Sequence, residues 1–261
     1  MIKKILIVIF TTLALTLNVY AGSDGELIFK KNEPSEVKDC FEKVNRVTFA
    51  FNQTLDKVIF KPVASIYRKL PSPAKNGVSN SLNNISHLST IPNNIIQGDF
   101  KQAAVNTGRF VINTTIGIFG IFDVAQYLGL TNYEKEDYGQ SLAKHGIGPG
   151  CYIVLPILGP STARDTLGST LNFLGGDPWY NVTIGNDTKY FSNSDYYYSR
   201  GAAGIDFRAK NYDSLENLEK NSLDFYASVK SLYLQDRQQK ILNSKKIIST
   251  QDDSDWEEIS Q

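Results

Sequence analysis

A serine stands where an apolar run gives way to a helical pattern: Gly159-Pro160-Ser161-Thr162-Ala163 follows Tyr152 to Leu158 and precedes Arg164-Asp165. A hydroxyl on such a strand-to-helix turn is the arrangement of a nucleophile elbow, which exposes Oγ to a carbonyl carbon while a histidine takes its proton. Two details weigh against acyl transfer. Ala163 takes the place of the second glycine, and His87 and His145 both precede Ser161, whereas that hydrolase order puts histidine last. Other triad orders exist, and capping the following helix is the plainer use of Ser161. Two separated histidines with Cys40 and Cys151 give no metal-ligand spacing, so neither metal nor cofactor is expected. Gly146, Gly148 and Gly150 suggest a dinucleotide loop but precede the apolar run instead of following it. In an oxidising compartment the two cysteines could pair, or each could pack as a small apolar residue, and both options stay open.

The elements that must position these residues begin after a leader. Met1 to Lys4 form a basic head, Ile5 to Leu17 an apolar stretch, and Val19-Tyr20-Ala21 a small-residue junction before Gly22. This pattern predicts a signal peptide over 1–21 and an exported chain, with no lipidation cysteine at the junction. The 261 residues, 41% hydrophobic and 21% charged, suffice for one domain with a real core. A formal net charge of +0 argues against nucleic acid, whose phosphates call for clustered Lys and Arg. We divide the chain into the leader, a linker over 22–38, a helical domain over 39–247 and an acidic tail over 248–261 expected to be disordered.

Helical spacing dominates the domain. Phe41, Val44, Val47, Phe51, Leu55 and Val58 return every three or four residues, predicting a helix that ends before Pro62 with a stripe whose ordinary use is core packing. Helices follow over 63–70 and through Val78, Leu82 and Ile85, the latter ending before Pro92. Another is capped by Asp99, with Gln102 in the capping-box position, and carries Arg109 and Asn113. Ser161 would cap a helix to about Leu174, and helix returns from Ile205 to about Leu242 with a break near Asp213. The class is all-α. Between Tyr138 and Asp165 the glycines and prolines predict an irregular buried or lipid-facing segment.

Ile116, Ile118, Phe119, Ile121 and Phe122, punctuated by Gly117 and Gly120, are too few to cross a bilayer. Burying five such side chains gains on the order of 10 kcal/mol against about 3 kcal/mol for one deep Asp123. Docking into a lipid surface is therefore open to this stretch, the alternative being a helical hairpin in an ordinary core with Asp123 capping at Val124.

Asp39-Cys40-Phe41-Glu42-Lys43-Val44-Asn45-Arg46, Phe49-Ala50-Phe51-Asn52, Lys61-Pro62-Val63-Ala64 and Tyr67-Arg68 resemble the opening of the MlaA (VacJ) family. The resemblance continues through Gly108-Arg109-Phe110-Val111-Ile112-Asn113 and Asp123-Val124-Ala125. It then takes in Tyr138-Gly139-Gln140-Ser141-Leu142, Gly146-Ile147-Gly148-Pro149-Gly150 and Leu158-Gly159-Pro160-Ser161-Thr162. It departs where many members carry a lipidated cysteine at the mature terminus, and where Cys40 and Cys151 replace prolines.

The resemblance implies a ring of short amphipathic helices in the inner leaflet of a Gram-negative outer membrane, with a polar channel for phospholipid. Such proteins remove phospholipid mislocalised to the outer leaflet, sit beside trimeric porins, deliver lipid to a soluble periplasmic carrier and hydrolyse nothing. A scaffold that only binds porins is the second reading, and a hydrolase using Ser161 the third. Asn45, Arg46, Arg109, Asn113, Asp123, Arg164 and Asp165 are polar groups in or beside apolar segments, fit either to line a channel or to form structural ion pairs. Under the same resemblance Ile116, Ile118, Phe119, Ile121 and Phe122 meet lipid. Gly146, Gly148, Gly150 and Pro156 shape a wall or hinge, so a bulky residue at Gly148 should impair transport.

Overall fold

The structure, a computed structural model, describes residues 37–131, 134–185 and 190–249. The leader, nearly all of the linker and the acidic tail beyond Ser249 lie outside the described residues. Helix α1 (Glu42–Leu55) continues through a π turn (Asp56–Phe60) into α2 (Lys61–Arg68), so the predicted stop before Pro62 does not occur. The wide turn, closed by Lys61 N–H on Asp56 O, opens the helix just where a proline ring would meet the preceding turn. Helix α3 (Ser72–Ile96) likewise runs through Pro92. Its packing along α4 (Phe100–Thr115), the most extensive helix pairing here, buries Thr90, Asn93 and Asn94 around the proline and outweighs the lost hydrogen bond. Asp99 caps α4 as expected, accepting from Gln102 N at 2.9 Å.

After the short α5 (Val124–Tyr127), the glycine- and proline-rich segment departs from expectation by containing regular structure. Asp137 caps α6 (Tyr138–Lys144), and β1 (Tyr152–Leu155) pairs antiparallel with β2 (Gly159–Thr162), Tyr152 opposite Thr162 and Leu155 opposite Gly159. The hairpin survives the sequence's punctuation because Pro156, Ile157 and Gly159 fall at or beside its turn, where left-handed backbone is needed. Thr162, not Ser161, caps α7 (Ala163–Leu171): as the last residue of β2 it stands directly before the helix, and its hydroxyl accepts from Asp165 N at 3.2 Å. A π turn (Asn172–Gly176) then leads to α8 (Pro178–Tyr180). Beyond it lie α9 (Asn193–Lys210), α10 (Tyr212–Asn221) and α11 (Phe225–Ser249), so the single break expected near Asp213 becomes two, at Asn211 and around Ser222.

Cys40 and Cys151 form a disulfide that joins the entry of α1 to the start of β1. Around it Tyr152, Val154 and Tyr226 make a small apolar cluster supported by Phe49 and Tyr233. Two amides of α1 complete the hairpin. Asn45 Nδ2 donates to Tyr152 O and its Oδ1 accepts from Val154 N, while Asn52 Nδ2 donates to Leu155 O and its Oδ1 accepts from Ile157 N, all at 2.7–3.0 Å. Seven residues apart on one helix face, the two asparagines act as peptide groups of a missing third strand.

The apolar stripe of α1 is not in a core. Val44, Val47, Phe51 and Val58 are exposed, Val47 by 72%, and the buried residue of α1 is Asn45. The pattern is general: α3 turns Asn84, His87, Thr90, Asn93 and Asn94 inward, α4 turns Asn106, Arg109 and Asn113 inward, and Ile95, Ile96, Phe100 and Val111 face out. Side chains that water-soluble helices bury are outside, and those they expose are inside.

Candidate functional site

Polar side chains of α3 and α4 meet in an interior seam. Asn106 Nδ2 donates to Asn94 Oδ1 at 2.8 Å, and Asn84 Nδ2 to Thr114 Oγ1 at 2.8 Å. Burial, reinforced by the Arg109 charge, pushes the His87 imidazole down to about 4, so it is neutral at physiological pH. At one end of the seam Asp123 is clamped from α4: Arg109 Nη2 donates to Oδ2 at 2.8 Å and Asn113 Nδ2 to Oδ1 at 2.9 Å. Asp123 therefore does not cap α5 as expected. Asn113 Oδ1 does that work, accepting from Ala125 N at 2.9 Å, while Arg109 Nη1 donates to Leu130 O.

This clamp fixes the base of the loop 116–122. Ile118 and Phe119 take left-handed φ of 53° and 55°, and Gly120 follows at 87°. Such conformations cost about 1–2 kcal/mol for each residue with a Cβ, and here they project Ile116, Ile118, Phe119 and Phe122 outward, Phe119 75% exposed. Ile121 is exposed on the same loop. Gly120 cannot be replaced freely, because a Cβ there would lie 2.4 Å from Asn84 Cβ. We expect Gly120→Ala to lower the stability of the purified protein by about 2–4 kcal/mol, read as a shift in denaturant midpoint.

At the other end of the seam, Gln97 Nε2 donates to Glu136 Oε2 at 2.8 Å and to Ser141 Oγ, which donates to Asn93 Oδ1 at 2.6 Å. Burial pushes the Glu136 carboxyl up to about 7, with neighbouring Asp137 adding to the shift and the Gln97 hydrogen bond opposing it. The folded chain therefore binds this proton more tightly than the unfolded chain, whose carboxyl titrates near 4.5. Stability contributed at Glu136 is full below about 4.5 and declines as pH rises to about 7, by roughly 3 kcal/mol in all. Glu136→Gln should remove that decline, measured as the slope of unfolding free energy against pH.

Beside Glu136 begins a second, fully charged cluster. Arg237 of α11 donates through Nη1 and Nη2 to both oxygens of Asp137 at 2.6 Å, and through Nε to Asp165 Oδ2 at 2.9 Å. Asp165 also accepts from Arg164 Nε at 2.9 Å and from the Tyr233 hydroxyl at 2.7 Å. Burial raises the Asp165 carboxyl, but Arg237 outweighs burial and holds it at about 2; burial and the Asp165 charge push the Tyr233 phenol well up. Gly139 and Gly168 allow this closure. A Cβ on Gly139 would stand 2.4 Å from Asp165 Oδ1, and one on Gly168 would stand 2.4 Å from Gly139 N.

Asp137, Asp165, Arg237, Tyr233 and Ser161 share a cavity of about 280 Å³ with Leu155, Leu158 and Pro160 of the hairpin and with Ser169 and Asn172. The lining is part charged and hydroxylated and part aliphatic. Ser161 Oγ lies 3.0 Å from Thr166 Oγ1 and donates to Thr162 O, while His145 Nδ1 contacts Ser141 O. The residues singled out in sequence thus separate. Arg109, Asn113 and Asp123 form one cluster, Arg164 and Asp165 another, Asn45 holds the hairpin, and Arg46 is an exposed partner of Glu42 and Asp224. Gly146 and Gly150 take left-handed φ, Pro156 starts the hairpin turn, and a Cβ on Gly148 would meet nothing within 4 Å. In this region a Cβ would be crowded at Gly139, Gly150 and Gly168 instead of at Gly148. Sequence reading missed Glu136, Asp137, Tyr233 and Arg237. Asp137 carried a signal, since it stands three residues before Gln140 at a helix start.

The chain is mostly helical, with many buried polar side chains, many exposed large apolar ones and a cavity of mixed lining. The chain belongs to the MlaA lipoprotein family, whose model matches residues 37–240. An uncharacterized protein of Rickettsia bellii is 36% identical over 205 residues, 78% of this chain and 76% of its own length. The intermembrane phospholipid transport system lipoprotein MlaA of Escherichia coli K12 is 33% identical, covering 76% of each chain. Its Haemophilus influenzae counterpart is 29% identical over 95% of this chain and 94% of its own length. A solved structure reported as "Structural basis for maintenance of bacterial outer membrane lipid asymmetry" superposes with a TM-score of 0.66 at 31% identity. It covers 78% of this chain and 99% of that one.

Proposed function

We propose that this protein is an intermembrane phospholipid transport component that helps maintain outer-membrane lipid asymmetry. The observation that carries the reading is the inverted distribution of side chains: polar groups line the interior of α1, α3, α4 and α6, and large apolar side chains stand exposed on α1, α3 and α4. A phospholipid moving between environments needs a polar route for its headgroup and apolar surroundings for its chains. Among the described residues no helix is long and apolar enough to cross a membrane, which fits helices lying in one leaflet.

In this reading the loop 116–122 and the outer face of α1 meet lipid, and the Arg109–Asn113–Asp123 and Arg164–Asp165–Arg237 clusters border the headgroup route. The removed lipid is phospholipid mislocalised to the outer leaflet. The partners are the outer membrane, a trimeric porin and a soluble periplasmic lipid carrier, as the family resemblance implies. Export by the leader, and membrane contact through the exposed apolar side chains, complete this reading. No hydrolysis is assigned; Ser161→Ala should leave lipid transfer intact.

A photoreactive residue at Val47 or Phe119, both far into solvent, should crosslink to phospholipid acyl chains when the protein is reconstituted in vesicles. One at buried Asn113 should reach headgroups during transfer to carrier. A porin scaffold alone captures no phospholipid at Asn113, and that outcome would sink the conduit reading.

A further inference from the structure

The cavity under the hairpin has charged walls that are closed upon themselves. The Asp137 carboxylate is engaged by Arg237 on both oxygens and caps α6 through Gln140 N. The Asp165 carboxylate is engaged on both oxygens too, by Arg164 and Arg237 on one and by Arg237 and the Tyr233 hydroxyl on the other. A carboxylate accepts about four hydrogen bonds, so both acids are filled by groups of the protein. With Arg164, which pairs with Asp165 from outside the cavity lining, two guanidinium charges balance two carboxylate charges, and the cluster sums to zero. The polar groups that the protein leaves for a ligand are neutral: the hydroxyl of Ser169 and the amide of Asn172, both half-buried and sharing the lining with the aliphatic Leu155, Leu158 and Pro160.

We propose that this cavity holds the glycerol-ester and headgroup region of a phospholipid and does not discriminate by headgroup charge, its ion pairs supplying polarity without net field. The proposal rests on the lipid-transport reading above and adds the breadth of substrate. A zwitterionic aminophospholipid gains no free carboxylate here, and an anionic phosphatidylglycerol gains no free guanidinium. Recognition comes from neutral hydrogen bonds and an apolar wall that every glycerophospholipid satisfies. The volume, about 280 Å³, suits a headgroup with its ester linkages and not whole acyl chains, which must lie outside.

The test uses the full chain reconstituted in vesicles of equal phosphatidylethanolamine and phosphatidylglycerol, with a photoreactive residue replacing Leu158 at the cavity edge and the captured lipids weighed by mass spectrometry. We expect the captured ratio to match the vesicle ratio within about twofold. Charges placed on the neutral wall should break the indifference: Ser169→Lys should enrich phosphatidylglycerol about fivefold or more, and Ser169→Asp should deplete it to a similar degree. Asp137→Asn, which keeps a capping side chain but uncovers Arg237, should also enrich phosphatidylglycerol. A marked preference in the unmodified chain overturns the proposal, as does a ratio that none of the three variants moves. Capture of both lipids with such a preference would still leave the conduit reading standing. Capture of no lipid at Leu158, with crosslinks persisting at Phe119, overturns the cavity assignment alone, and loss of lipid at Leu158, Asn113 and Phe119 together overturns both.

Discussion

Replacing Arg237 with methionine should lower the thermal midpoint of the detergent-solubilised protein by about 10 °C or more, the largest single-residue effect we expect. Its guanidinium answers Asp137 and Asp165, and its removal leaves two carboxylates in a confined space with Arg164 as the remaining ion-pair partner among the described residues, Tyr233 and Gln140 supplying only neutral hydrogen bonds. Removing one partner from a buried ionic group costs about 3–5 kcal/mol, and for a chain of this size each kcal/mol moves the midpoint by roughly 2–4 °C. The pH dependence separates this cause from lost packing. In the unmodified protein Asp165, held at about 2, contributes stability that is present above its unfolded value near 3.8 and is lost only as pH falls through about 2. Without Arg237 the carboxylates prefer their protons, so the variant should recover as the pH is brought down toward 4. A deficit that is the same at pH 7 and pH 4 would assign the loss to packing and not to charge.

Replacing Cys40 and Cys151 together with alanine should cost about 4–5 kcal/mol, the chain-entropy value for a closed loop spanning a sequence separation of 111. The native fold should persist, because Asn45, Asn52 and the backbone bond from Tyr152 N to Lys38 O hold the same elements without the bridge. The check is a pair of denaturation curves with and without dithiol reductant. Reductant should bring the unmodified chain down to the double variant and leave the double variant unmoved. If the two proteins unfold at one midpoint in both conditions, the bridge contributes nothing.

The helices of the fold were legible because 3.6-residue spacing is a strong local signal, and Asp99 capping α4 was readable from four residues. Which side of each helix faces inward was not. The stripe of α1 has the spacing of a core stripe whether it meets protein or lipid, and only its surroundings decide. The complementary signal stood on α3, where Asn84, His87, Thr90, Asn94 and Gln97 recur every three or four residues, a polar stripe that apolar periodicity ignores. Pro62 and Pro92 misled for another reason. Each removes one hydrogen bond, a local loss that a π turn or a long tertiary contact repays, and neither is visible in a short window. Arg109, Asn113, Asp123, Arg164 and Asp165 were singled out by asking which polar groups sit among apolar ones, and they pair in two clusters. Arg237 escaped because its partners lie 72 and 100 positions away in the chain.

The two asparagines of α1 set a mechanical limit on the hairpin. Four hydrogen bonds join the Asn45 and Asn52 amides to the outer edge of β1 and its turn. Swinging the strands away from the helix would break all four at once and leave backbone groups without partners, each at a cost of about 1–3 kcal/mol where it stays buried. Any displacement of the hairpin tip that keeps these bonds must therefore carry α1 with it.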